Sequence, residues 1–138
     1  MGRDRVKGEK IGRANKAMKI YFNNALRDDL ALPATGGGWL LGDGAFESLR
    51  TYSGRAFALE QHLDRLEQTL NELKIAAPTR AQLVQGVEET IAANPATPFG
   101  RLRITVFGDG NWMVTHIEYK PETRFLKLSL SPIKRYSL

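Results

Sequence analysis

Apolar residues recur along this chain in two rhythms, and the switches between them mark out its elements. Lys19-Ile20-Tyr21-Phe22 is rich in residues that suit a pleated strand, and Asn23-Asn24 reads as a turn. Ala31 to Gly38 is a Pro- and Gly-rich connection that ends in three glycines. A strand is expected over about Ala45–Tyr52, a turn at Ser53-Gly54, and a returning strand at Arg55–Ala58, which together make a hairpin. The rhythm then changes. From Glu60 to Leu73, Leu63, Leu66, Leu70 and Leu73 fall at spacings of three and four, the single apolar stripe of a helix. Ala76-Ala77-Pro78 breaks it. Thr79 is suited to cap a second helix with Leu83, Val84, Val87 and Ile91 on one face, ending near Asn94-Pro95.

Alternation returns over Arg101–Phe107. Leu102, Ile104 and Val106 alternate there with Arg101, Arg103, Thr105 and Phe107, so the first set is expected to face the core. Gly108 to Asn111 is a turn, Trp112–Tyr119 a further strand, and Phe125–Leu130 another with Leu126, Leu128 and Leu130 on one face. This order predicts an α+β domain: a mainly antiparallel sheet with two helices packed on it.

Composition narrows the class without naming a function. With 138 residues, 42% hydrophobic and 25% charged, the chain has the balance of an ordinary globular domain. No apolar run approaches the roughly 20 residues that span a bilayer, and the first residues lack the apolar core of a secretory signal. There is no cysteine, so no disulfide, thiol nucleophile or cysteine-bound metal, and two histidines far apart do not suggest a metal site. A cytoplasmic protein without membrane partners is the expectation.

The net charge of +5 is unevenly spread. Residues 1–17 hold six basic side chains against two acidic ones, a net of +4, which leaves +1 for the rest. That segment has no aromatic residue on which a base could stack, so no nucleic-acid partner is expected. It reads as a basic disordered extension, or as sequence ahead of a start at Met18.

The chain carries no Walker loop, nucleophile elbow or zinc signature. Gly36-Gly37-Gly38 reads as a flexible turn more readily than as a phosphate cradle. The segment from Gly42 to Leu66 is more specific. Gly42-Asp43-Gly44-Ala45-Phe46-Glu47-Ser48-Leu49-Arg50, the turn Tyr52-Ser53-Gly54-Arg55, and Glu60-Gln61-His62-Leu63-Asp64-Arg65-Leu66 resemble the class IV aminotransferase family in residues and in spacing. These are the fold-type IV pyridoxal-phosphate enzymes, which include branched-chain and D-amino-acid aminotransferases and 4-amino-4-deoxychorismate lyases. The resemblance runs from Met18 to Leu138 and corresponds to the N-terminal half of such an enzyme.

What it implies can be carried over residue by residue. Arg65 matches the arginine that binds the phosphate of pyridoxal 5'-phosphate, a role suited to a permanently charged fork of N–H donors. The alternative for Arg65 is a helix-surface arginine paired with Asp64 or Glu60. Phe46 matches an aromatic lining the cofactor or substrate side of the pocket, a role compatible with packing in the strand. Arg103, rather than Arg101, resembles the arginine that meets a substrate carboxylate in branched-chain aminotransferases; an exposed sheet edge would satisfy it equally. Glu47 and His62 are expected to have structural hydrogen-bonding roles.

Departures from the pattern matter too. D-amino-acid aminotransferases carry an Arg-x-His pair at the end of this strand, where the chain has Phe107 and Asp109, so that activity is disfavoured. The lyases often follow the strand with an arginine-containing glycine loop, whereas Gly108–Trp112 keeps only the glycines. Neither subfamily is cleanly matched. The lysine that carries the cofactor is expected a short way past the segment Leu130–Arg135, beyond Leu138, and Lys134 reads as a solvated linker residue.

Residues 18–130 are thus expected to form the family's N-terminal small domain, and 131–138 to open a connection to a C-terminal domain. The parent enzyme is expected to act on amino acids or amino-deoxychorismate-type substrates through Schiff-base chemistry. The 138 residues alone are expected to be inactive and to form homo-oligomers. The other reading is a non-catalytic truncated domain that only self-associates.

Overall fold

The computed structural model describes residues 18–32 and 35–123. The basic segment 1–17, the strand expected at Phe125–Leu130 and the connection at 131–138 lie outside the described residues. In chain order the elements are β1 (Ile20–Phe22), β2 (Ala25–Arg27), α1 (Gly37–Leu40), β3 (Gly44–Tyr52), β4 (Arg55–Ala56), α2 (Leu59–Leu73), α3 (Arg80–Ala93), β5 (Phe99–Phe107) and β6 (Trp112–Glu118). The six strands among the described residues join one antiparallel sheet in the order β2-β1-β6-β5-β3-β4. Helices α2 and α3 pack on it, giving the α+β architecture that the rhythm of the sequence predicts.

Strand register converts the alternation into two faces. Across β3, β5 and β6 the inward rows are Leu49, Leu102 and His116, then Glu47, Ile104 and Val114, then Ala45, Val106 and Trp112. Tyr21 of β1 extends the middle row beside Val114. Onto these rows α2 lays Leu63, Leu66 and Leu70, and α3 lays Leu83 and Val87, all buried in one core. Gly86 lets α3 approach closely, since a Cβ there would sit 2.9 Å from the Tyr21 ring and 3.0 Å from that of Trp112. No helix among the described residues is long and apolar enough to cross a membrane.

Several details differ from the sequence expectation. Leu73 is 53% exposed rather than part of the α2 stripe. The helix ends on Lys74 in the left-handed conformation (φ 57°), the Ile75 amide returns to the Leu70 carbonyl at 2.9 Å, and Ile75 packs on the core instead. The returning hairpin strand is only two residues long, because Ala58 adopts a left-handed conformation that opens α2. Phe107 is buried although it belongs to the outward-facing set. The short helix α1 folds over it, and Gly38 makes this possible: a Cβ there would lie 2.7 Å from Phe107 Cβ. The third glycine of the run therefore serves a close packing contact, within a helical turn instead of a flexible one.

The second helix starts as expected. The Thr79 hydroxyl accepts from the Gln82 amide, and the Gln82 side chain accepts from the Thr79 amide, a reciprocal capping box. Arg80 then ties α3 to α2 through Glu60 (2.7 Å), Asp64 (2.9 Å) and Glu67 (2.9 Å). At the other end Asn94 clamps the Lys19 backbone, accepting its amide and donating to its carbonyl, both at 2.9 Å.

Candidate functional site

Glu47 lies on the inward face of β3, in an apolar row that ends at the sheet edge. β4 pairs only with Thr51 and Tyr52, so β3 from Gly44 to Arg50 has no strand on its outer side among the described residues. A carboxylate in such a row needs partners. It finds two on α2. Arg65 donates Nε to Oε1 at 3.1 Å and Nη2 to Oε2 at 2.5 Å, and His62 Nδ1 lies 2.7 Å from Oε2. The helix brings them together because positions three apart share a face.

This cluster is graded from inside to outside. The side chains of Glu47 and His62 are 13% and 18% exposed, that of Arg65 65%. Burial by itself would raise the Glu47 carboxyl, but the hydrogen bonds and charges of Arg65 and His62 outweigh it and hold the group below the ordinary carboxylate range. The same pairing pushes the Arg65 guanidinium up. Nε and Nη2, which form one edge of the guanidinium fork, are thereby committed to Glu47, with Nη2 also 3.2 Å from His62 Nδ1, and the side chain is otherwise mostly exposed at the edge of the sheet. The alternative partners named from sequence do not apply, since Glu60 and Asp64 are engaged by Arg80.

Phe46 and Arg103 lie on the opposite face of the sheet. β3 presents Phe46, Ser48, Arg50 and Tyr52 there, in register with Thr105, Arg103, Arg101 and Phe99 of β5. The Arg103 guanidinium sits 3.6 Å from the centroid of the Phe46 ring, a cation–π stack. Both line a hollow of about 310 Å³ with Trp39, Asp43, Thr105 and Met113. Arg65 is not among the residues that line it. The candidates thus form two groups on either side of β3, joined through the adjacent positions Phe46 and Glu47.

Arg101 and Arg50 extend the positive face. Arg101 shares a smaller depression with Arg103 and Ser48, and Arg50 stacks on Tyr119 at 3.2 Å from its centroid. Arg50 Nη1 is buried with no hydrogen-bond partner among the described residues. The part of Arg50 was missed from sequence, although the period-two pattern places it in register with Arg101. The organising role of Glu47 could not be read from spacing at all, since it depends on how α2 crosses the sheet edge.

The family described as Amino-transferase class IV matches residues 44–136. A Methanocaldococcus jannaschii protein assigned as a branched-chain-amino-acid aminotransferase is 39% identical over 80 residues, covering 56% of this chain and 28% of that one. The aminodeoxychorismate lyase of Bacillus subtilis is 40% identical over 58 residues, covering 41% and 20%. In fold, the chain is similar to a branched-chain aminotransferase from Thermoproteus uzoniensis solved with norvaline, with a TM-score of 0.66 at 20% identity, over 75% of this chain and 41% of that one. The chain spans less than a third of the length of the curated relatives it matches.

Proposed function

The chain belongs to the class IV amino-transferase family, and from that premise we propose that it is the N-terminal portion of a pyridoxal-phosphate-dependent aminotransferase or aminodeoxychorismate lyase-like enzyme acting on amino acids. In this reading Arg65 holds the cofactor phosphate, and Phe46 and Arg103 bound the substrate side. The observation that carries it is the state of Arg65: its inner edge is pinned by Glu47, while the rest of the guanidinium stays exposed. Such a group fits a phosphate, because it keeps its charge at any working pH and offers donors in a fixed plane.

Bound there, pyridoxal phosphate would supply an electron sink for chemistry at the α-carbon of an amino acid. The chain's own residues would do the holding. Phe46 supplies an apolar wall that keeps water from one side of the hollow. Arg103, steadied on Phe46, presents its charge to a substrate carboxylate, with Arg101 beside it in the neighbouring depression. No lysine lines the hollow with Phe46 and Arg103. The reactive amine belongs, in this proposal, to sequence other than those lining residues.

The test is a comparison of pyridoxamine 5'-phosphate with pyridoxamine, which differ only in the phosphate and have no aldehyde to react with surface lysines. The chain should prefer the phosphorylated form, and Arg65→Ala should abolish that preference. Equal binding of the two by the unmutated chain would refute the assignment of Arg65.

A further inference from the structure

Resting on that reading of Arg65, we propose that Glu47 is a positioning residue for the anion: it holds the Arg65 guanidinium by one edge, so that the remaining donors face an incoming phosphate in a fixed plane. A mostly exposed arginine samples many rotamers, and binding an anion with it requires that freedom to be given up at that moment. The two-point contact to Glu47 removes much of it beforehand, with Nε on Oε1 at 3.1 Å and Nη2 on Oε2 at 2.5 Å. Two contacts fix the plane of the fork as well as its position.

The carboxylate is itself braced. His62 Nδ1 meets Oε2 at 2.7 Å from the preceding turn of α2, and the Glu47 backbone is paired opposite Ile104. Glu47 therefore cannot follow Arg65 outward, and a swing of the guanidinium toward solvent would leave a largely buried carboxylate with one partner fewer. That is a penalty of the kind buried charges carry when unpaired. The open outer side of β3 beside Glu47 leaves approach to the outer donors free among the described residues.

A competing effect has the opposite sign. The negative charge of Glu47 repels an anion at Arg65, so if Glu47 served only to fill the core, removing its charge would tighten phosphate binding. Positioning predicts that it loosens. Nuclear magnetic resonance titration of the full chain with pyridoxamine 5'-phosphate and with pyridoxamine, following the Arg65 Nε–H signal, separates the two. For Glu47→Gln, which keeps the shape and removes the charge, the preference for the phosphorylated ligand should fall roughly fivefold, the effect of freeing one rotamer-rich side chain.

An unchanged or tighter preference in Glu47→Gln, alongside its loss in Arg65→Ala, would overturn the positioning role and leave the phosphate role of Arg65 standing. A preference that survives Arg65→Ala would remove that reading, and the inference with it. If Glu47→Gln does not fold, the unliganded wild-type chain decides. A slowly exchanging Arg65 Nε–H supports positioning, and one that exchanges as fast as a free arginine side chain refutes it.

Discussion

Thr51 and His116 meet inside the protein: Thr51 Oγ1 and His116 Nε2 are 2.8 Å apart, and both side chains are buried. The contact spans β5, where Gly100 lies directly opposite Thr51. A Cβ at Gly100 would lie 2.2 Å from each of the two bonded atoms. Gly100→Ala is therefore expected to force the pair apart, lowering stability by roughly 2 kcal/mol through overpacking and a lost buried hydrogen bond. Urea unfolding measures this, and a loss below about 0.5 kcal/mol would show that the pair moves aside freely.

His116 should also make stability depend on pH. Burial pushes its imidazole below the ordinary histidine value, so on acidification the unfolded chain takes up the proton first. The contribution of neutral His116 is complete above the unfolded value of about 6.5 and is lost as pH falls through the lower folded value. Unfolding free energy should thus decline as pH falls below about 7, and His116→Gln should flatten that decline. Parallel profiles for the two proteins would count against it.

Glu47 acts in a more acidic window. Its folded carboxyl lies below the ordinary range, because Arg65 and His62 outweigh the effect of burial. Its contribution is present above the unfolded value of about 4.3 and disappears as pH falls through the folded one. The wild-type chain should lose stability steeply below about pH 4.5, and Glu47→Gln less steeply from a lower starting point. Denaturant midpoints measured from pH 6 down to pH 3 test this, and equal slopes would argue that the cluster does not contribute to stability.

Period and spacing carried most of the fold. The stripe Leu63, Leu66 and Leu70, the N-cap Thr79, and the alternation of Leu102, Ile104 and Val106 each have a local cause, and each appears where local rules put it. What was not legible depended on contacts between distant segments. Phe107 is buried because α1 covers it, Leu73 is exposed because Lys74 turns the chain, and Arg65 is committed to a residue 18 positions away. The two sides of the candidate site divide in the same way. That Phe46, Arg103 and Arg101 share a face follows from alternation, whereas Glu47 as the partner of Arg65 follows only from where α2 crosses the sheet edge.

The outward face should drive self-association, and its composition says how strongly. Trp39, Leu40 and Leu41 on and just after α1 are 62%, 64% and 79% exposed, and Trp39 adjoins Phe46 in the hollow. Burying three such side chains yields roughly 6 kcal/mol, little more than the lower bound of about 4 kcal/mol lost on association. That triplet alone would give a contact too weak to detect at micromolar concentration. Phe46, Tyr52, Phe57 and Phe99 are also exposed, the last three meeting edge to face at 6.0 and 6.1 Å. Together the two groups bring the gross gain to a level compatible with micromolar association. Sedimentation velocity should therefore show concentration-dependent association of the chain, weakened about tenfold by either Leu41→Glu or Phe57→Glu, at about 1.4 kcal/mol each. Unchanged far-UV circular dichroism would exclude unfolding as the cause. If Leu41→Glu acts and Phe57→Glu does not, the contact is confined to α1 and the area argument fails; a chain that stays monomeric across the range refutes the prediction outright.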